Sequence, residues 1–182
     1  GPKFLRITDI QGDGNVFWAK VPNCKINSKD FPKYKLNKGD ILIARIGATT
    51  GKAGIIREEQ ESIFGSYLIR VLIDNGKCHP EYIYQFTNTN IYLSQINANK
   101  GGKLKKGISA SFLSTLSIPV PSLTEQLKIG LILLSIDNKI SIEEKRKESL
   151  EKLFKTMLDK LMSGRIRVNY LKIEPDASEV LQ

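Results

Sequence analysis

"GDILIARIGATTGKAGII", residues 39–56, decides the fold of this 182-residue chain. An apolar run, a glycine-rich turn and a Gly-Lys pair give it the look of a nucleotide-binding loop. A phosphate loop of that kind needs Gly, four residues, Gly-Lys, then Ser or Thr to hold magnesium. It must also lead into a helix whose first amides and dipole face the phosphates. Here three residues separate Gly47 from Gly51-Lys52, Ala53 follows, and "AGII" is strand-like. The stretch is therefore predicted to be a glycine-rich hairpin between two buried strands. The residues leave open whether the loop is only a turn or also touches phosphates through Lys52 and backbone amides.

Outward from the hairpin, residues 1–121 are rich in short β-type runs: "KFLRITDI", "NVFWAKV", "ILIARI", "AGIIR" and "SYLIRVLI". Turn formers such as "QGDGN" and "DNGK" separate them. "HPEYIYQFTNTNIYLSQINAN" carries apolar residues at helical spacing and is predicted to form one or two short helices. The fold class is α+β: a mixed, β-rich domain with short helices, followed by one long helix. Gly1-Pro2 has the form of a tag scar and the chain opens abruptly on a strand-like run. An N-terminal piece of the domain is thus expected to be missing.

After "IPVPS" the texture changes. Residues 122–164 read as one helix of about 40 residues, roughly 60 Å long. Ser122 and Glu125 have the capping-box spacing, and Gly164 can supply a left-handed end. Apolar positions alternate by 4 and 3: Ile129, Leu133, Ile136, Ile140, then the charged pair Glu143 and Lys147, then Leu150, Phe154, Met157 and Leu161. This is a heptad seam with a polar middle, expected to pair with a second helix. The alternative is an amphipathic helix lying on its own domain. Leu131, Ile132 and Leu134 widen the apolar face near the start, where packing on the domain is also expected. Residues 165–182 read as a short strand and a tail.

The net charge of +9 suits a polyanion partner. "ANKGGKLKKGIS", residues 98–109, holds Lys100, Lys103, Lys105 and Lys106 without an acid, among glycines that let backbone approach a duplex. Arg6, Gln11, Trp18, Lys20, Arg45 and Thr49 fall at strand ends or turns, where Arg and Gln can read base edges. Trp18 is also a core candidate. The helix, by contrast, mixes both charge signs at i,i+4 spacing, as in Glu148 with Lys152 and Glu151 with Lys155, and reads as a solvated face.

Chemistry is poorly provided for. Cys24, Cys78 and the single His79 cannot complete a usual zinc site, and two free thiols in a cytoplasmic protein are the expectation. No run of about 18 apolar residues marks a membrane span. No metal ligands, no catalytic residues and no cofactor are expected in this chain.

"FLRITDIQGDGNV", "Y-x-L-x-x-GDILIARIGATTGKAGII", "YLIRV" and above all "LSIPVPSLTEQLKI" resemble the specificity subunit of type I restriction–modification systems, from about residue 3 to about residue 168. In that family "GDIL-ARSGATVGK" and "IPLPPL-EQ-KI" are familiar forms; Ile46 stands where Ser is common. The resemblance implies a target recognition domain that reads half of a bipartite site in double-stranded DNA. It implies a long helix that pairs with a second one to hold methyltransferase and restriction subunits. Those partners would use S-adenosylmethionine, ATP and magnesium. The helix itself, with Glu143 and Lys147 at the middle of its seam, is expected to pair antiparallel with a second copy of this chain, since parallel pairing would stack like charges. The competing reading is a coiled-coil protein–protein adaptor whose basic charge is incidental.

Overall fold

The computed structural model describes residues 1–99 and 107–169. Two small sheets form the core of the first 121 residues. In one, β2 (Ile41–Ala44) lies between β3 (Ala53–Ile55) and β5 (Leu68–Val71), both antiparallel to it. In the other, β1 (Lys3–Leu5) pairs parallel to β4 (Ser62–Phe64). All four residues of β2 are buried, as a central strand covered on both faces must be. Its alternation feeds two clusters. Ile41 and Ile43 join Ile55, Ile83, Tyr84, Phe86, Tyr92 and Ile96, whereas Leu42 and Ala44 join Leu5, Ile10, Val21 and Ile56.

Among the described residues four short α-helices accompany the sheets: α1 (Phe31–Tyr34), α2 (Pro80–Phe86), α3 (Asn90–Asn99) and α4 (Ala110–Leu113). The predicted pair of helices after His79 is thus α2 and α3. The "NVFWAKV" run departs from expectation: residues Trp18–Lys20 form a 3-10 turn, not a strand. The bonds Lys20 N–H to Phe17 O and Val21 N–H to Trp18 O coil the chain, so that Val16, Trp18 and Val21 all reach one cluster. A strand would have turned Val21 to the face opposite Val16 and Trp18. "KFLRITDI" is likewise a three-residue strand followed by a 3-10 turn at Ile7–Asp9.

The long helix is α5, Leu123–Met162. Ser122 caps it, its Oγ accepting from the Glu125 amide at 3.3 Å, and Gly164 ends it at φ +70°. By contact density the chain divides inside this helix, into units 1–138 and 139–182. No strand is present in residues 165–169, and the rest of the expected strand and tail lies outside the described residues. Cys24 and Cys78 are free thiols. Among the described residues no helix is long and apolar enough to cross a membrane, and no cluster of His, Cys, Asp and Glu is suited to a metal.

Candidate nucleic-acid interface

The loop between β2 and β3 is a tight hairpin. Gly47 (φ +86°) and Gly51 (φ +92°) take the left-handed conformations it needs. Gly51 N–H closes the turn on Ala44 O at 2.9 Å, and Thr50 Oγ1 bonds Gly47 O at 2.7 Å. Arg45 through Thr49 are exposed. Lys52 is tied back: its Nζ donates to Ile10 O at 2.9 Å. That bond fastens the hairpin to the turn containing Gln11, which is closed by Gln11 N–H to Asn15 O at 2.8 Å. Ile55 N–H adds a bond to Gly14 O at 3.1 Å. Gly14 is obligatory here, because a Cβ would lie 2.2 Å from the Tyr84 hydroxyl oxygen.

Lys100, Lys103, Lys105 and Lys106 lie outside the described residues. Both flanks of their segment, however, rest on the same hairpin. On the N-terminal side, Tyr92 Oη donates to Gly51 O at 2.9 Å, and Ile96 packs so close that a Cβ on Gly51 would lie 2.8 Å from its Cγ2. Burial pushes the Tyr92 phenol far above its ordinary pKa, so it stays a donor. On the C-terminal side, Ile108 N–H donates to Arg45 O at 2.7 Å, and Gly107 passes where any Cβ would meet that same carbonyl. Arg45, Thr49, Lys52, Gln11 and the ends of the lysine segment therefore share one edge of the domain.

The remaining predicted contacts are placed differently. Arg6 forms a fork with Asp9, Nε to Oδ2 at 3.0 Å and Nη2 to Oδ1 at 2.9 Å. Burial alone would raise the Asp9 pKa, but the Arg6 side chain and amide outweigh it and hold the carboxyl below its usual range. Trp18 is half-buried against the core, and Lys20 lies 5.3 Å over the Phe17 ring. Gln11 and Lys20 are exposed.

The start of α5 is locked to the domain by a residue that periodicity could not reveal. Gln126, in "SLTEQ", is fully buried. Its Oε1 accepts from His79 N–H at 2.9 Å, and its Nε2 donates to Pro121 O at 2.8 Å and Lys77 O at 3.1 Å. One turn on, Gly130 lets α2 approach: a Cβ would sit 3.3 Å from both Glu81 Cβ and Tyr82 N. Glu81 forms a buried ion pair with Arg57 at 2.6 and 3.0 Å, Arg57 also reaches Asn15, and Gln85 bonds Asp137. The start of α5 packs on its domain as expected, through Gln126 and Gly130; of the three apolar residues named for that face, Leu134 is half-buried and Leu131 and Ile132 are exposed.

Of the seam, Ile129 is half-buried, whereas Leu133, Ile136, Ile140, Leu150, Phe154, Met157 and Leu161 are 37–67% exposed in the single chain. Glu143 and Lys147 form weak exposed pairs, with Arg146 at 3.8 Å and Glu151 at 4.0 Å. Glu148 pairs with Lys152 at 2.7 Å as expected, while the partner of Glu151 is Lys147 where the sequence suggested Lys155.

The architecture is that of an α+β domain with polar loops fastened together at one edge, continued by a long helix whose apolar seam is exposed in the single chain. The chain belongs to the type I restriction modification DNA specificity domain family, whose model matches residues 3–152. It is 29% identical over 178 residues to the type I restriction enzyme MjaVIII specificity subunit of Methanocaldococcus jannaschii, covering 94% of this chain and 41% of that protein. It is 27% identical over 148 residues to the HindI specificity subunit of Haemophilus influenzae, covering 77% of this chain and 32% of that one. The chain therefore spans less than half the length of these relatives. Its fold matches the HsdS subunit from Thermoanaerobacter tengcongensis, with TM-score 0.62, 14% identity and coverage of 96% of this chain and 45% of that one. A chain from a structure of a type I R-M system matches at TM-score 0.68 with the same identity and coverage.

Proposed function

We propose that this chain is a non-catalytic DNA-specificity module of a type I restriction–modification complex. Its domain reads one half of a bipartite site in double-stranded DNA. The observation that carries this is the shared edge: hairpin, Gln11 turn and both flanks of the lysine-rich segment are bonded to one another. Such an edge presents exposed polar side chains able to read bases, and the segment it flanks carries four lysines in its sequence. The relatives' description as specificity subunits supports the same reading. Methyltransferase and restriction subunits dock on the frame and supply the chemistry that uses S-adenosylmethionine, ATP and magnesium.

The frame itself is an antiparallel homodimer of α5. Seven seam positions left exposed in the single chain favour a partner helix. Antiparallel pairing about a two-fold axis near residue 145 sets Glu143 of one protomer against Lys147 of its partner, twice. Parallel pairing would stack like charges. The two domains then read an inverted repeat with half-sites about one DNA turn apart.

Replacing Lys103, Lys105 and Lys106 together by Ala tests the DNA reading. Affinity for duplex is expected to fall and the salt slope to drop by up to about three, near one per lost phosphate contact. An unchanged slope removes the segment from the interface.

A further inference from the structure

Arg45 and Tyr67 stand opposite one another at the end of the three-stranded sheet. The register of β2 with β5 runs Ile41↔Val71 to Ala44↔Leu68. One rung further, Arg45 N–H donates to Tyr67 O at 2.9 Å. Directly opposed residues share a face, so the two side chains leave the sheet together, with Cβ atoms about 5 Å apart. The preceding rungs of that face, Ile43↔Ile69 and Ile41↔Val71, are covered by the core. The last rung is uncovered, and Tyr67 is 62% exposed.

Among the described residues neither side chain has a polar partner. The four arginines of residues 1–138 are Arg6, Arg45, Arg57 and Arg70. Arg6 pairs with Asp9, Arg57 with Glu81, and Arg70 with Asp40 and the Lys35 carbonyl. The Arg45 guanidinium alone has no hydrogen-bonding or ionic partner among the described residues. The hydroxyls of Tyr82 and Tyr92 are likewise bonded, to Pro119 O and Gly51 O, while that of Tyr67 has no such bond among the described residues. The rung also abuts the end of the lysine-rich segment, because Arg45 O accepts from Ile108 N–H. A guanidinium and an exposed ring at the same end of the sheet, both without a polar partner among the described residues, match a groove of duplex DNA. The fork suits guanine O6 and N7, and the ring suits an apolar edge such as a thymine methyl.

We propose that Tyr67 is a specificity-determining residue, its ring reading the base pair beside the one that Arg45 reads. This rests on the DNA-reading role argued above. With Cβ atoms about 5 Å apart and base pairs about 3.4 Å apart, the two positions fall within about two base pairs.

The test is enrichment of duplexes from a randomised pool by the full chain, with Arg45→Ala, Tyr67→Ala and Tyr67→Phe alongside it. Tyr67→Ala is expected to flatten one or two positions of the enriched motif, within two base pairs of those flattened by Arg45→Ala. Its affinity for the selected duplex should fall about tenfold while its salt slope stays unchanged, because no charge is lost. Arg45→Ala should flatten the motif at its own position, as loss of a base-reading fork does, and Tyr67→Phe should keep the motif. An unaltered motif in Tyr67→Ala overturns the proposal. So does a distant altered position, or loss of the motif in Tyr67→Phe. A wild-type chain that enriches nothing overturns the DNA-reading role itself, and this assignment with it.

Discussion

The first sixteen residues of α5 and the last twenty-four carry the same heptad seam yet live in different surroundings. In Leu123–Asn138, Gln126 and Gly130 are buried, and Asp137 is bonded to Gln85. In Lys139–Met162 no residue is buried, although Ile140, Leu150, Phe154, Met157 and Leu161 are apolar. Apolar residues face solvent while a polar amide is fully enclosed. Hydrophobic spacing shows that a helix has a sticky stripe. It does not show which stripe its own domain uses, because a buried amide with three good hydrogen bonds serves as well as a leucine.

The contrast is broken most strongly at the ion pair beneath the first stretch. Glu81→Ala leaves the Arg57 guanidinium with its carboxylate removed in a half-buried site, which is expected to cost about 3 kcal/mol in urea unfolding. The matched change in the second stretch, Glu148→Ala, removes an exposed i,i+4 partner of Lys152. It should leave the unfolding midpoint unmoved. Equal losses would erase the distinction between the two stretches.

Gln126→Ala comes next. It strips partners from His79 N–H and from the carbonyls of Lys77 and Pro121, at an expected cost of about 2 kcal/mol by the same measurement. A neutral outcome would mean that the amide knot does not hold the helix start.

The second stretch is probed through assembly. Glu143→Lys should weaken self-association about tenfold in sedimentation equilibrium, and adding Lys147→Glu should restore it. A monomer at tens of micromolar, or a single swap without effect, rules out the antiparallel pairing.

The smallest effect is a pH term in the domain core. Burial raises the Asp40 carboxyl pKa, against the opposing pull of the Asn37 amide and the Arg70 charge. The folded state then binds a proton at a pH where the unfolded chain, titrating near about 4, has released it. Stability from this group is therefore full below about pH 4 and is lost as the pH rises through the raised value. Asp40→Asn should flatten that decline in urea midpoints. Asp9, shifted the opposite way, acts below the range and does not mask it.

Legibility in the sequence followed the strength of local signals. "ILIARIGATTGKAGII" announced a hairpin because its glycines sit where left-handed turns are required and its strand is apolar on both faces. The capped ends of α5 were readable for the same reason. "NVFWAKV" was not, because three side chains had to meet one cluster and that tertiary demand overrode β propensity. β4 escaped notice because three residues carry too little periodicity. At the candidate interface, single residues could be nominated by type and turn position. The bonds that gather them, Lys52 to Ile10 and Ile108 to Arg45, span long separations that no pattern encodes. Tyr67 was missed because its significance lies in the rung it shares with Arg45.

The central claim is that this chain reads DNA as a two-fold pair. Enrichment of bound duplexes from a randomised pool tests it most directly. The account predicts an inverted repeat with an unread spacer, its half-sites about one helical turn apart. A single ungapped site, or no enrichment over random duplex, would contradict it.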